Sequence, residues 1–288
     1  MRAGDLWAAE ELPAAYYLKR RFEIPEIMPK LPLEDEPFIA SWQETAGQDV
    51  LTFLSDRFGL PVSDFSWQNI DALQLSFADT LGGKLPVIAT ESHLDFRAME
   101  AVLNARKALQ ELPPTVNAFT MQTRAKPIFR HRILLLNRAP YSNISAEKMG
   151  LAKEDWLERS HKLRMRHECA HYETLRIFDD MRNHALDEIL ADALGQIAAF
   201  GSFDGDRQRI FFGLTRGKDT CTGRLSFYCQ KVGEEERPKI YKAVDEVLDD
   251  VAGELDGLLA RKAEDIELLS ALAGTSIAER LEALKKKG

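Results

Sequence analysis

The stretch RHECAHYETLRIFDDMRNHALDEILAD, residues 166–192, holds three of the chain's six histidines and seven carboxylates. Two readings compete for it: a metal site folded back on itself, or a charged helical hairpin. His167 and His171 lie four residues apart in a run without Gly or Pro. At 3.6 residues per turn both imidazoles then project from one face, one turn apart, and can converge on a single ion. Glu168 is offset around the helix, placed to reach a water at that ion without binding the ion itself, which is the mechanical content of H-E-x-x-H. Downstream, DEILAD supplies Glu188 and, one turn later, Asp192. The sixteen residues between His171 and Glu188 suit a hairpin. One helix ends near Phe178, the chain turns through DDMRNH, and an antiparallel partner starts near Asn183, a sound helix cap. Zinc in hydrolases usually takes three protein ligands and keeps a fourth position open, so Glu188 completes the set. Asp192 is placed to accept the outer N–H of a ligating histidine and fix its tautomer.

The bounds on the whole chain agree with an ordinary folded protein. Its 288 residues suffice for one large domain or two lobes, with 45% hydrophobic and 29% charged residues. A net charge of −8 gives no global attraction to nucleic acid or to an anionic membrane, and neither is an expected partner. The start, MRAGDLWAAEELP, has no apolar run fit for a signal peptide, and no segment approaches the roughly 20 apolar residues of a membrane span. Cys169, Cys221 and Cys229 are too few and too irregularly spaced for a disulfide framework, so a reducing cytoplasm is the expected location.

Organisation changes along the chain. Residues 1–60 predict two helices separated by the proline-punctuated PEIMPKLPLEDEP. ALQLSFAD, KLPVIAT, VNAFTMQ and IFRHRILLL are short runs rich in β-branched or aromatic residues and predict strands. Ser92 caps an expected helix over LDFRAMEAVLNARKALQEL. After residue 145 helical patterns dominate. The expected architecture is α+β: an N-terminal lobe over residues 1–178 that includes the HExxH helix, and an all-helical lobe over 179–288 that carries the third ligand. The site is expected where the two meet.

HECAH followed by Glu188-Ile-Leu-Ala-Asp192 resembles the thermolysin-like zinc metallopeptidase clan, the gluzincins, over about 26 residues. The order of elements is similar too, with a strand-bearing lobe before the active-site helix and a helical lobe after it. The resemblance implies a zincin-like fold and a zinc cofactor held by His167, His171 and Glu188. It also implies Glu168 as general base, Asp192 as the partner of a ligand histidine, and a peptide or protein substrate. The clan's later Tyr or His that stabilises the tetrahedral intermediate has no clear match. Tyr228, Arg224, Tyr172 and His184 are the candidates for that role. RHRILLLNR is the expected sheet edge for an extended substrate, since Arg and His interleave with aliphatics.

Plainer readings apply to the neighbouring residues. His184 stands one turn before Glu188 and suits the helix start better than metal ligation. Cys169 points away from the imidazoles and reads as a small core residue. Glu173 and Arg176 read as solvated or paired. RAKPIFRHRILLLNR is locally basic and could meet a substrate carboxylate or phosphate, although a solvated strand face is the commoner outcome. Two rivals to the hydrolase stand beside it. One is a zincin-like binding or regulatory protein with altered catalysis. The other is a carboxylate-bridged di-metal protein, for which Glu158-x-x-His161 and Glu168-x-x-His171 are the required motifs. Those two motifs fall on what reads as one continuous helix, whereas di-metal sites draw them from different helices.

Overall fold

A computed structural model describes residues 12–44 and 48–287. The described residues form a mixed α+β protein with one four-stranded sheet among them. The first expected helix falls partly in residues 1–11, outside the described residues. The chain forms two compact units, one from Pro25–Met181 with Ala191–Gly201, the other from Met1–Ile24, Arg182–Leu190 and Ser202–Gly288.

The sheet unit contains strands β1 (Gln74–Thr80), β2 (Gly83–Thr90), β3 (Ala118–Gln122) and β4 (Arg132–Asn137) in the order β1-β2-β4-β3. β1 and β2 form an antiparallel hairpin, β2 and β4 are parallel, and β3 runs antiparallel to β4. All four strands fall on the runs expected from the sequence. Side chains alternate across a strand, so β4 feeds two cores. Ile133 and Leu135 join Ile88 on one face, against Trp42, Phe53 and Leu54, and against Phe96, Met99 and Val102. Those partners come from α2 (Ile39–Gln43), α3 (Val50–Phe58) and α4 (His93–Leu103). Leu134 and Leu136 join Leu85 and Val87 on the other face, against Cys169 and Tyr172. Each buried aliphatic of this kind contributes about 1.5–3 kcal/mol.

Two expectations are corrected here. β4, the core of RHRILLLNR, is not the sheet edge: it lies between β2 and β3, and Ile133 to Leu136 are fully buried on both faces. A near-continuous aliphatic run marks an internal strand, whatever the charge of its flanks. The edge is β3. Helix α4 keeps its Ser92 cap, whose hydroxyl accepts from Leu94 and Asp95, but ends at Leu103 rather than running on towards Leu112. Ala105 there takes a left-handed backbone at φ 53°, which a continuing helix cannot contain.

Helix α5 (Lys153–Phe178) is a single 26-residue helix that packs Cys169 and Tyr172 onto the second face of the sheet. It carries both Glu-x-x-His motifs, as the sequence predicts. Its end is a left-handed Asp179 at φ 52°. α6 (Ala185–Phe200) follows after a short turn.

The other unit contains α1 (Ala14–Leu18), α7 (Gly205–Phe212), α8 (Leu225–Tyr228), α9 (Arg237–Ala260), α10 (Asp265–Gly274) and α11 (Ile277–Lys287). Ile240, Val244, Val247, Val251 and Leu255 repeat at helical spacing along α9 and are buried. α10 starts at a capping box, in which Glu264 and Glu267 satisfy each other's backbone N–H groups. α11 starts on Ser276, which exchanges hydrogen bonds with Glu279.

Candidate metal centre

α5 and the later part of α6 lie antiparallel, and small or polar residues at every fourth position set how closely they approach. Arg159 donates to the Ala199 carbonyl at 2.9 Å. One turn on, a Cβ added at Gly195 would stand 2.8 Å from the Leu163 carbonyl oxygen, so only glycine fits there. The next turn brings His167 against Asp192, with Nδ1 2.8 Å from Oδ1. The turn after that carries His171. Stepping back along α6 from Gly195 and Asp192 gives Glu188. Ligand atoms of His167, His171 and Glu188 all lie within 4.8 Å of one another.

The protonation pattern follows from the hydrogen bonds. Asp192 is wholly buried and its carboxylate only accepts, so the N–H of His167 resides on Nδ1. That leaves the His167 Nε2 lone pair facing the His171 Nε2 at 3.1 Å. The separation of the two Nε2 atoms is close to the roughly 3.3 Å between ligands about 2.0–2.1 Å from a tetrahedral zinc. Two imidazoles and a carboxylate are also the donor set that zinc accepts. The residues therefore fit the ion.

Tyr141 was not expected from the sequence. Its hydroxyl donates to Asp192 and lies 3.0 Å from His167 Nδ1. It comes from the turn after β4, held by Ser160 Oγ on its backbone N–H at 2.9 Å. Nothing local in APYSN signals the role, because the contact spans 51 residues.

Glu168 is half-buried, and its Oε2 accepts from Thr120 Oγ1 at 2.7 Å. The same hydroxyl lies 3.0 Å from the Glu168 carbonyl, which ties the edge strand β3 to α5. Thr120 was also missed; a threonine in VNAFTMQ reads simply as a strand former.

The four remaining candidates separate into two pairs. Arg224 Nη1 lies 3.5 Å from Glu188 Oε2 and 3.5 Å from the Tyr228 hydroxyl, with its guanidinium over the Phe212 and Tyr228 rings. The structure thus brings Arg224 and Tyr228 together beside the Glu188 carboxylate. Tyr172 is fully buried, donates to Glu36 and accepts from Arg176, and burial pushes its phenol up to about 12. His184 caps α6 one residue after the expected Asn183, with Nδ1 accepting from Leu186 and Nε2 donating to the Tyr17 carbonyl. Both its nitrogens are occupied. Burial first, and then Arg20, push its pKa down to about 3.

The plainer readings of the neighbours are met. Cys169 is buried against the sheet, where desolvation raises its thiol to about 12. Glu173 pairs with Arg166 at 2.8 Å and accepts from the Leu81 backbone. Arg176 is held by Tyr172 and the Glu34 carbonyl. Among the described residues no helix is long and apolar enough to cross a membrane.

A helix pair of this kind beside a four-stranded sheet defines an α+β protein with a histidine–histidine–carboxylate cluster. The chain belongs to a family described as "Family of unknown function (DUF7005)", whose model matches residues 115–282. That range contains β3, β4, α5 and α6, and with them every residue of the cluster and its supports. No curated protein and no solved structure matches the chain.

Proposed function

We propose that this protein is a zinc-dependent hydrolase of zincin-like architecture that cleaves peptide bonds. The observation that carries the reading is the convergence of His167, His171 and Glu188, with Asp192 and Tyr141 fixing the tautomer that turns His167 Nε2 toward its neighbours. His167 Nε2, His171 Nε2 and the Glu188 carboxylate would hold the ion. Bound there, zinc would supply Lewis acidity and a water of lowered pKa.

The chain's own residues account for the remaining work. Glu168 has one oxygen held by Thr120, which leaves the other to take a proton from the attacking water. The water oxygen bonds to the scissile carbonyl carbon, the C–N bond breaks, and Glu168 delivers the proton to the departing nitrogen. Arg224, with Tyr228 against it, is the donor best placed to share the negative charge that develops on the carbonyl oxygen. An extended substrate would add to the sheet along β3, whose only strand neighbour among the described residues is β4.

Glu168→Gln tests this reading. The variant should keep its metal and its fold and lose hydrolysis of a mixed peptide library by at least about a hundredfold. Hydrolysis undiminished in that variant would overturn the reading.

A further inference from the structure

A cavity of about 640 Å³ opens beside β3 within the sheet unit. The last part of β3 and the following loop line it, together with the end of α4 and the end of α5. Its charge contrasts with that of the whole chain. Arg106, Arg124, Arg130 and Arg132 all line it, and the single carboxylate among its lining residues is Glu100. Arg106 spends its charge on Glu100 at 3.0 Å, and Arg132 is paired with Glu36. Arg124 and Arg130 are exposed and have no carboxylate partner among the described residues. Arg130 instead lies over the Phe129 ring, on a residue held at φ 66°.

Two further features point to a ligand. Glu100 is buried and its second oxygen finds no donor, while the buried Nε of Arg132 finds no acceptor. One is an unused acceptor and the other an unused donor, both on residues that line the cavity. Phe129 and Met181, two large apolar side chains exposed by 59% and 39%, also line it. A concave site with unpaired guanidinium groups, apolar walls and an open strand edge suits an extended peptide carrying carboxylates. Thr120 lines the same cavity and bonds Glu168, so a strand lying there would run past the carboxylate assigned above as the base.

We infer that the cavity beside β3 binds an acidic segment of an extended peptide, with Arg124 and Arg130 receiving its carboxylates. This names a substrate class for the proposed hydrolase and rests on that reading for cleavage, though not for binding.

The test measures anisotropy of a capped, fluorescein-labelled peptide alternating valine and glutamate, beside its glutamine and lysine counterparts. Binding is read on the full chain, on His171→Ala, and on Arg124→Gln with Arg130→Gln. The glutamate peptide should bind at least about tenfold tighter than the glutamine one, with a preference that shrinks as salt rises. The double arginine variant should abolish that preference while keeping the parent's circular dichroism, since both side chains are exposed. His171→Ala, read to separate binding from cleavage, should keep the same preference for glutamate over glutamine. Equal binding of the glutamate and glutamine peptides, or a preference that survives the double variant, overturns the inference. So does binding of inorganic phosphate without binding of the glutamate peptide, which would make the site one for a small anion. A parent that prefers glutamate yet takes up no zinc would sink the hydrolase and leave this site standing. Zinc uptake without the preference would do the reverse.

Discussion

The Thr120 hydroxyl donates to the Glu168 carboxylate at 2.7 Å, joining the edge strand to the residue after the first histidine of the motif. It holds one oxygen of the carboxylate and so sets where the other points. A hydrogen bond to a charged group contributes about 1.5–3 kcal/mol. Thr120→Val should therefore lower kcat by about tenfold, with KM little changed and zinc content intact. Thr120→Ser should restore most of the rate. Loss of zinc in Thr120→Val, or no change in kcat, would contradict this positioning role.

Asp192 and Tyr141 act on the metal only through His167. Replacing Asp192 with Asn exchanges the carboxylate on His167 Nδ1 for an amide and removes the negative charge that makes the imidazole a better donor. Zinc affinity should fall by about 10–100-fold. Tyr141→Phe should weaken it less, because Asp192 stays in place. Competition with a chromogenic chelator measures both.

Gly195 sets the distance between α5 and α6. A methyl group there would stand 2.8 Å from the Leu163 carbonyl oxygen, and neither backbone can yield cheaply. Gly195→Ala should cost about 1–3 kcal/mol in urea unfolding. It should also weaken zinc binding, since Asp192 lies one turn away on the same face of α6. Gly253 on α9 has nothing within 4 Å of such a Cβ, so Gly253→Ala should be neutral or stabilising.

His184 gives a pH signature. Its folded pKa is depressed to about 3 by burial and by Arg20 and Arg182, with the Tyr17 carbonyl opposing them. An unfolded chain protonates this ring near pH 6.5, whereas the folded one resists. The contribution to stability is therefore present above pH 6.5 and is lost as pH falls from there towards 3. The slope approaches about 1.4 kcal/mol per pH unit in that window. Urea midpoints between pH 7 and pH 4 should fall less steeply in His184→Asn, which keeps a capping side chain. An unchanged slope would show that the ring is not held neutral.

Much of this organisation is readable in the sequence, for physical reasons. All four strands are marked by β-branched and aromatic runs, and α5 by 26 residues with no breaker. The spacing of His167, His171, Glu188 and Asp192 encodes a shared face because helical period and hairpin register are both local. What escapes depends on distant contacts. Charged flanks made RHRILLLNR look like an edge, while its buried aliphatic centre places it inside the sheet. Tyr141 and Thr120 reach the site across 51 and 48 residues, and no local pattern records such contacts. The cavity was half-visible: RAKPIFRHRILLLNR showed its basic character, but Arg106 and Glu100 join it only through the fold.

Zinc uptake tests the central claim most directly. Chelator-free protein is assayed by elemental analysis and by zinc titration, beside His171→Ala and Glu188→Ala. About one zinc per parent chain is expected, with loss in both variants while their circular dichroism is unchanged. A folded parent that takes up no zinc would make the cluster a helical hairpin without a metal. Two iron or manganese ions per chain would replace the hydrolase with a carboxylate-bridged di-metal protein.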